Sequence, residues 1–351
     1  MKKIILIIIV FVRIFPQSDC NKDNWQEYYN TNDNDMSGCD LSGAKLIDAN
    51  LAGVKSGEIK GNPKSLPKGW ILLKGYLIGP RANLNNAVLS GENLSDLDLS
   101  DAKLSNADLS NTNFQDSDLE YAYLKNADLS GSNLLRANLR NAKLSNVNLS
   151  GANLLLADLE YAYLDKADLS GANLSRSNLM EANLSESSLN RADLRYAILT
   201  RANLSMVNLE YANLKEANLM RADLKGANLK GAQLHSAKLK RANLKGGMLM
   251  QVNLSMANLS MAKLHRVDLE GANLTDADLS GVNLSNANLN NADLSRAKIT
   301  GADFEYAFLG PILEGANFEG AILNNLISSD IRGKPLLLPK KWKLIDGKLI
   351  K

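Results

Sequence analysis

The fold class predicted for this chain is an all-β solenoid, and three observations predict it. Every fifth residue from Leu84 to Leu309 is Leu, with Phe114, Ile299 and Phe304 the only substitutes. Two residues before each of these stands a small residue, usually Ala, as at Ala107, Ala157, Ala202 and Ala287. The residue between them is most often Asn or Asp, so the unit reads Ala-(Asn/Asp)-Leu-x-x. A period this regular marks a repeat architecture. In an α-helix a five-residue step turns the apolar position by about 140° each time, so no single face could bury it. A long strand needs a period of two. A short extended piece followed by a turn of Asn, Asp, Gly or Ser, repeated, keeps Leu and Ala on one side and winds the chain around them.

Composition and charge set the limits. The chain has 351 residues, of which 5% are aromatic. So few rings argue against a bulky globular core, while apolar residues held in register argue against disorder. Lys and Arg total 40 and Asp and Glu 38, a formal charge of +2. Without Lys2, Lys3 and Arg13 the balance is 37 basic to 38 acidic residues. A near-neutral chain has no general pull toward nucleic acid or anionic membrane.

Taken in order, the chain begins with Lys2 and Lys3 before an apolar run from Ile4 to Val12. The run is too short to span a bilayer, which takes about 20 residues. It suits the core of a secretory signal peptide, so export is expected, to the periplasm, the cell envelope or the medium, with no transmembrane span in the mature chain. Cys20 follows Gln17-Ser18-Asp19, a poor match to a lipoprotein signal, in which Leu would replace Gln17 and a small residue Asp19. Two uses of Cys20 therefore compete: lipid attachment, or a disulfide with Cys39 across the N-terminal cap. Cys39 also sits two before Leu41, at an Ala-type position of the repeat.

The repeat starts at Leu41, Leu46 and Leu51, stops, and restarts at Leu84 out of register. The interruption, from Ser56 to Ile78, recurs at the end of the chain from Ser328 to Ile350. Ser, Ile, Gly, Pro, Leu, Pro, Lys, Trp, Leu, Gly, Leu and Ile match at equivalent places. Lys74-Gly75 and Asp346-Gly347 each suit the two-residue turn of a β-hairpin. That turn pairs Leu72 with Leu77 and Leu344 with Leu349, and puts Trp70, Leu72 and Leu77 on one face to be buried. Near the end, Gly310-Pro311-Ile312-Leu313 is one residue short, and Phe318 and Leu323 finish the run. The predicted organisation is a signal peptide at 1–18, an N-terminal cap at 19–40 and first pentapeptides at 41–54. A β-hairpin insertion at 55–81, the main solenoid at 82–325 and a C-terminal hairpin cap at 326–351 complete it.

These residues closely resemble the pentapeptide repeat proteins, whose motif is A(D/N)LXX, from Asp40 to Leu323 apart from the interruption. The resemblance implies a right-handed quadrilateral β-helix with four pentapeptides per coil. The Leu and the small residue would point inward and the other three positions outward. At the strand spacing of a sheet, the main run would form about 11 coils and a rod about 55 Å long.

A coil of 20 residues would stack Glu120, Arg140 and Glu160 in one column, with Tyr123, Lys143 and Tyr163 beside it. It would also stack Arg201, Arg221 and Arg241, a column without a matching acid. Charge is uneven along the run: residues 92–120 hold eight acids against Lys103, and residues 215–245 hold eight bases against Glu216 and Asp223. Solvated drift explains such runs; the functional alternative is a binding patch for an anionic partner centred on Arg201, Arg221 and Arg241. His235 and His265 fall on opposite faces, and neither a zinc-ligand spacing nor a phosphate-binding loop is present. No cofactor, metal, catalytic group or small-molecule substrate is expected. The first functional expectation is a non-catalytic exported scaffold that binds another protein or an anionic partner. The second, implied by the resemblance, is a DNA mimic that binds a type II topoisomerase and protects gyrase, which calls for an acidic rod and access to the cytoplasm.

Overall fold

Each pentapeptide makes one short extended segment and one β-turn. Asn133 N donates to Thr112 O at 2.9 Å and Leu134 N to Asn153 O at 2.7 Å, one coil back and one coil forward. The turn closes when Ala137 N donates to Leu134 O at 3.0 Å, with Arg136 at φ 57°. The computed structural model describes residues 20–351, so the expected signal peptide at 1–18 lies outside the described residues. The described residues fall into two compact units, divided between Ile78 and Gly79.

In the second unit, parallel bridges join residues 20 apart, as in Asn113 to Asn133 to Asn153, so four pentapeptides make one coil. We label the four sides by their inward leucines: side A carries Leu104, Leu124 and Leu144, and sides B, C and D carry Leu109, Leu134 and Leu119. These leucines, and the small residues two before them (Ala, or Ser at Ser132 and Ser117), are all at most 1% exposed. Each buried Leu contributes roughly 1.5–3 kcal/mol of transfer free energy, so the stacked interior holds the unit together. Where Thr or Ser replaces Ala, the hydroxyl is satisfied locally. Ser177 Oγ donates to Leu174 O at 2.7 Å, and Thr112 Oγ1 to Leu89 O at 2.8 Å.

The preference for Asn or Asp just before Leu has two causes. Its side-chain oxygen accepts the N–H two residues on, as Asp118 does from Glu120 at 3.0 Å, which holds the turn. Its amide, where present, donates to the same position one coil earlier. Asn113, Asn133, Asn153 and Asn173 form such a ladder starting from Asn93, with steps of 2.8–3.1 Å. Near the end the coil shortens by one residue at Gly310-Pro311: Asn288 bridges Phe308, but Asp293 bridges Ile312. Strands β3 (Phe308–Leu309) and β4 (Ile327–Ser328) pair in parallel there.

The first unit uses the same coil. Asp35 bridges Lys55, Asp40 bridges Lys60, and Lys45 bridges Ser65. Met36, Leu41, Leu46 and Leu51 fill its interior. Helix α1 (Trp25–Thr31) buries Tyr29, whose hydroxyl donates to Ala52 O at 3.0 Å. Strands β1 (Ile71–Leu73) and β2 (Tyr76–Ile78) form an antiparallel hairpin in which Leu72 faces Leu77. The interruption therefore belongs to the same unit as the first pentapeptides, and the long run starts afresh at Gly79.

The second unit ends in an equivalent hairpin, β5 (Lys343–Ile345) and β6 (Lys348–Ile350), with Leu344 facing Leu349. Trp342 and Leu344 are half-buried and Leu349 is buried, while Lys343, Ile345 and Lys348 are exposed. In the first hairpin Ile78 is buried along with Leu77, and Trp70 and Leu72 are only half-buried, so one-face burial describes the second copy better. The correspondence between the two also reaches further back than the sequence match. Leu41, Leu46 and Leu51 have counterparts in Leu313, Phe318 and Leu323, and the bridges from Asp40 and Lys45 recur from Ile312 and Asn317.

A candidate interaction face along one corner of the coil

Function must lie on the outward positions, because the inward ones are filled. The third residue of each turn has a positive φ and points its side chain out at a corner. At the corner between sides D and A this position runs Tyr121, Asn141, Tyr161, Glu181, Arg201, Arg221 and Arg241, with φ between 56° and 61°. Residues one coil apart there are tied by the ladder beside them, from Asn203 to Asp223 to Asn243. The three arginines therefore stack. Arg201 is nonetheless compensated, because its Nη1 donates to Glu181 Oε1 at 3.1 Å. This corrects the expectation of a column without acids: the acid sits one coil earlier in the same column. Arg221 and Arg241 are exposed, and among the described residues no carboxylate lies within ion-pair distance of either. Lys240 stands next to Arg241, also exposed.

The eight bases of 215–245 do not form one patch. Lys215 lies at the C–D corner, and Lys230 at the B–C corner pairs with Glu210 at 3.8 Å. Lys245 lies across side A and lines a groove of about 390 Å³ with Met261, Lys263 and His265. The eight acids of 92–120 are similarly spread. Asp116 makes a two-point contact with Arg136 at 2.6 Å, which holds its carboxyl below the usual range, and Asp101 lies 3.6 Å from Arg81.

The other expected columns are present. Arg140 pairs with Glu160 and reaches Asp158 at 3.3 Å, and its guanidinium pKa is pushed up, chiefly by Glu160. On side A, Lys143 Nζ lies 3.5 Å from the Tyr163 ring centroid. Tyr121, Tyr123, Tyr161 and Tyr163 are all exposed at 40–48%. These four were legible as two copies of Glu-Tyr-Ala-Tyr-Leu, but their common placement beside the arginine column becomes visible only with the coil. His235 Nδ1 meets Ser255 Oγ at 2.9 Å and His265 Nδ1 meets Ser285 Oγ at 2.8 Å, on opposite corners. In the first unit, Cys20 and Cys39 are joined by a disulfide.

Models of pentapeptide repeats match residues 34–55, 81–116, 117–154, 137–176, 157–195 and 177–215, in eight copies, and a pentapeptide repeat region matches 217–299. Among solved structures the chain is similar to HetL, a pentapeptide repeat protein involved in heterocyst differentiation regulation in the cyanobacterium Nostoc. Identity is 31%, covering 71% of this chain and 91% of that one, with a TM-score of 0.22. A pentapeptide repeat protein from the Arabidopsis thaliana thylakoid lumen is 23% identical over 38% of this chain and 68% of its own, at a TM-score of 0.19. QnrB1, a plasmid-mediated fluoroquinolone resistance protein, is 17% identical over 68% and 92%, at 0.24. No curated protein matches the chain.

Proposed function

The chain belongs to the pentapeptide repeat family, and from that premise we propose that it is a non-catalytic, exported scaffold that binds an anionic partner along one corner of its coil. We read the winding as the right-handed, four-sided β-helix of the family, and the two hairpins as covers for the coil ends of their own units. The observation that carries the proposal is the unpaired state of Arg221 and Arg241 beside Lys240, in a coil whose other outward arginines are largely engaged. An exposed cation with no ion-paired acid raises the local potential and favours a negatively charged partner, and the nearby Asp223 carboxylate is turned to Lys225 N and the Asn243 amide instead.

Export is supported by the apolar run after Lys2 and Lys3 and by the Cys20–Cys39 disulfide, since structural disulfides persist in oxidising compartments. A Cys20 sulfur bonded to Cys39 has no thiol left for a lipid, which favours a soluble exported form over a lipoprotein. The DNA-mimic reading ranks second, because a basic corner would repel the surface that a duplex occupies. Fractionation of the producing cell tests the proposal. Recovery from the envelope or the medium, with a shortened N-terminus, is expected; recovery only from the cytosol would overturn it.

A further inference from the structure

Two corners of the long unit carry many large side chains at positive φ, some engaged with one another and some not. At the C–D corner these groups engage each other: Arg136 with Asp116, Arg296 with Asp276, and Arg176 over the Tyr196 ring at 5.4 Å. At the D–A corner Arg81 pairs with Asp101 and Arg201 with Glu181, while Tyr121, Tyr161, Arg221 and Arg241 are exposed and make no such contact among the described residues. A large side chain at positive φ costs folding energy that Gly or Asn would avoid. For these four, no ion pair or ring contact among the described residues offsets the cost.

The corner and the adjoining side A form one strip with two chemistries. Its first part is aromatic, with Tyr121 and Tyr123 two coils from Tyr161 and Tyr163. Its second part is cationic, from Arg221 and Arg241 to the groove of Lys245 and Lys263. Aromatic rings suit the C–H faces of sugars, and guanidinium and ammonium groups suit carboxylate or sulfate. Two coils span about 9.6 Å, comparable with the repeat of a disaccharide in an extended glycan. Tyr121 to Tyr161 has that spacing, while Arg221 and Arg241, one coil apart, stand close enough to share one anionic group.

We propose, resting on the exported-scaffold reading, that this strip is a binding site for a linear acidic polysaccharide, with the tyrosines against sugar rings and Arg221, Arg241 and the groove lysines on its anionic groups. A single-stranded nucleic acid is the competing polyanion. It would stack bases on open ring faces along a run of free cations, whereas Lys143 is already engaged with one face of Tyr163 and the unpaired arginines lie beyond the tyrosines. The disulfide also points to a compartment where polysaccharides are the abundant linear polyanions.

The test is electrophoresis of the full chain through native gels containing alginate, dextran sulfate or neutral dextran, with a thymidine oligonucleotide as competitor. Alginate presents carboxylates and dextran sulfate presents sulfates, so the two arms identify the anionic group. The variants are Tyr121→Asn with Tyr161→Asn, Arg221→Asn with Arg241→Asn, and Lys215→Asn as a control on another corner. Asn is tolerated at positive φ and already stands there at Asn141, so the coil is kept, and a thermal melt no lower than the parent's verifies it. Retention by one acidic gel and not by dextran is expected, with affinity about tenfold weaker in either double variant and unchanged in Lys215→Asn. Three results would overturn the proposal: no retention in either acidic gel, full displacement by the oligonucleotide at equal charge, or a loss confined to the arginine variant, which would indicate simple ion exchange. Fractionation decides export and gel retention decides the glycan, so the two readings fail separately.

Discussion

Ser56 Oγ accepts the backbone N–H of Leu77 at 2.9 Å, and Ser328 Oγ accepts that of Leu349 at 3.0 Å. Leu77 faces Leu72 in a non-hydrogen-bonded pair of the hairpin, so its N–H points away from the partner strand and needs an acceptor elsewhere. Ile59 N donating to Gly75 O at 3.2 Å, and Ile331 N to Gly347 O at 3.0 Å, complete the docking in both copies. Gly75 has a φ of 76°, and a Cβ there would stand 2.9 Å from Glu58 N, so only glycine allows this approach.

Ser56→Ala is therefore expected to orphan a buried N–H and to cost about 1–3 kcal/mol in the first unit. Hydrogen exchange checks this residue by residue. The Leu77 amide should exchange faster in the variant while the Leu349 amide keeps its wild-type rate. Equal rates at Leu77 in both proteins would show that the serine is not its effective acceptor.

The inward small position leads to a second expectation. Ala202 is fully buried beside Leu199 and Leu204, at a place where the coil leaves room for a methyl group. Ala202→Leu would force the coil apart and lower stability by about 1–3 kcal/mol or more, whereas Ser177→Ala should change it little because Ala already fits this position on every side. Chemical denaturation of the two variants against the parent gives the comparison. A tolerated Ala202→Leu would show that the interior is looser than its burial indicates.

Much of the coil was legible because the Leu period, the Ala before it and the Asn or Asp between them each answer to one physical demand: interior volume, interior clearance and turn closure. Every outward column followed once the coil length was fixed, and Lys143 on Tyr163 and Arg140 on Glu160 are examples. What escaped was information that the repeat does not encode. The charge runs of 92–120 and 215–245 look continuous in sequence only because the coil distributes neighbours among its sides; Glu181 as the partner of Arg201, by contrast, lies one 20-residue step back and was within reach of the period. The last pentapeptides of each unit also belong to the duplicated end. Their match is hard to see because Phe318 replaces Leu46 and the outward residues differ.

A third expectation concerns pH. Arg136 hydrogen-bonds the carboxylate of Asp116 and holds its pKa below the ordinary value, and Arg296 does the same for Asp276. A carboxyl with a lower pKa in the folded state favours folding wherever the unfolded group would be ionised, above the unfolded value of about 3.9. That contribution fades as pH falls through this range and is gone below the depressed folded value. Asp116→Asn should thus separate from the parent in thermal melts at pH 7 and converge with it as pH falls below the depressed folded pKa. The pairs are solvent-exposed, so the separation should be small and should shrink in high salt. A difference that grows on acidification would contradict the pairing.

Leu156 supplies the fourth expectation. It occupies the third position of a turn at φ 60° and remains 47% exposed, so it bears the left-handed backbone without the benefit of full burial. For a residue with a Cβ that conformation costs roughly 1–2 kcal/mol, and Asn reduces the cost through local hydrogen bonding of its short side chain. Replacement also removes the contacts of a half-exposed Leu, which offsets part of the gain. The balance predicts that Leu156→Asn raises stability by about 0.5–1 kcal/mol, and that Leu156→Val lowers it because β-branching crowds the same backbone further. Thermal melts of both variants order them: Asn above the parent and Val below. The reverse order would mean that packing of Leu156 over the corner outweighs the backbone term, and that the large side chains at these corners stabilise the coil rather than burden it.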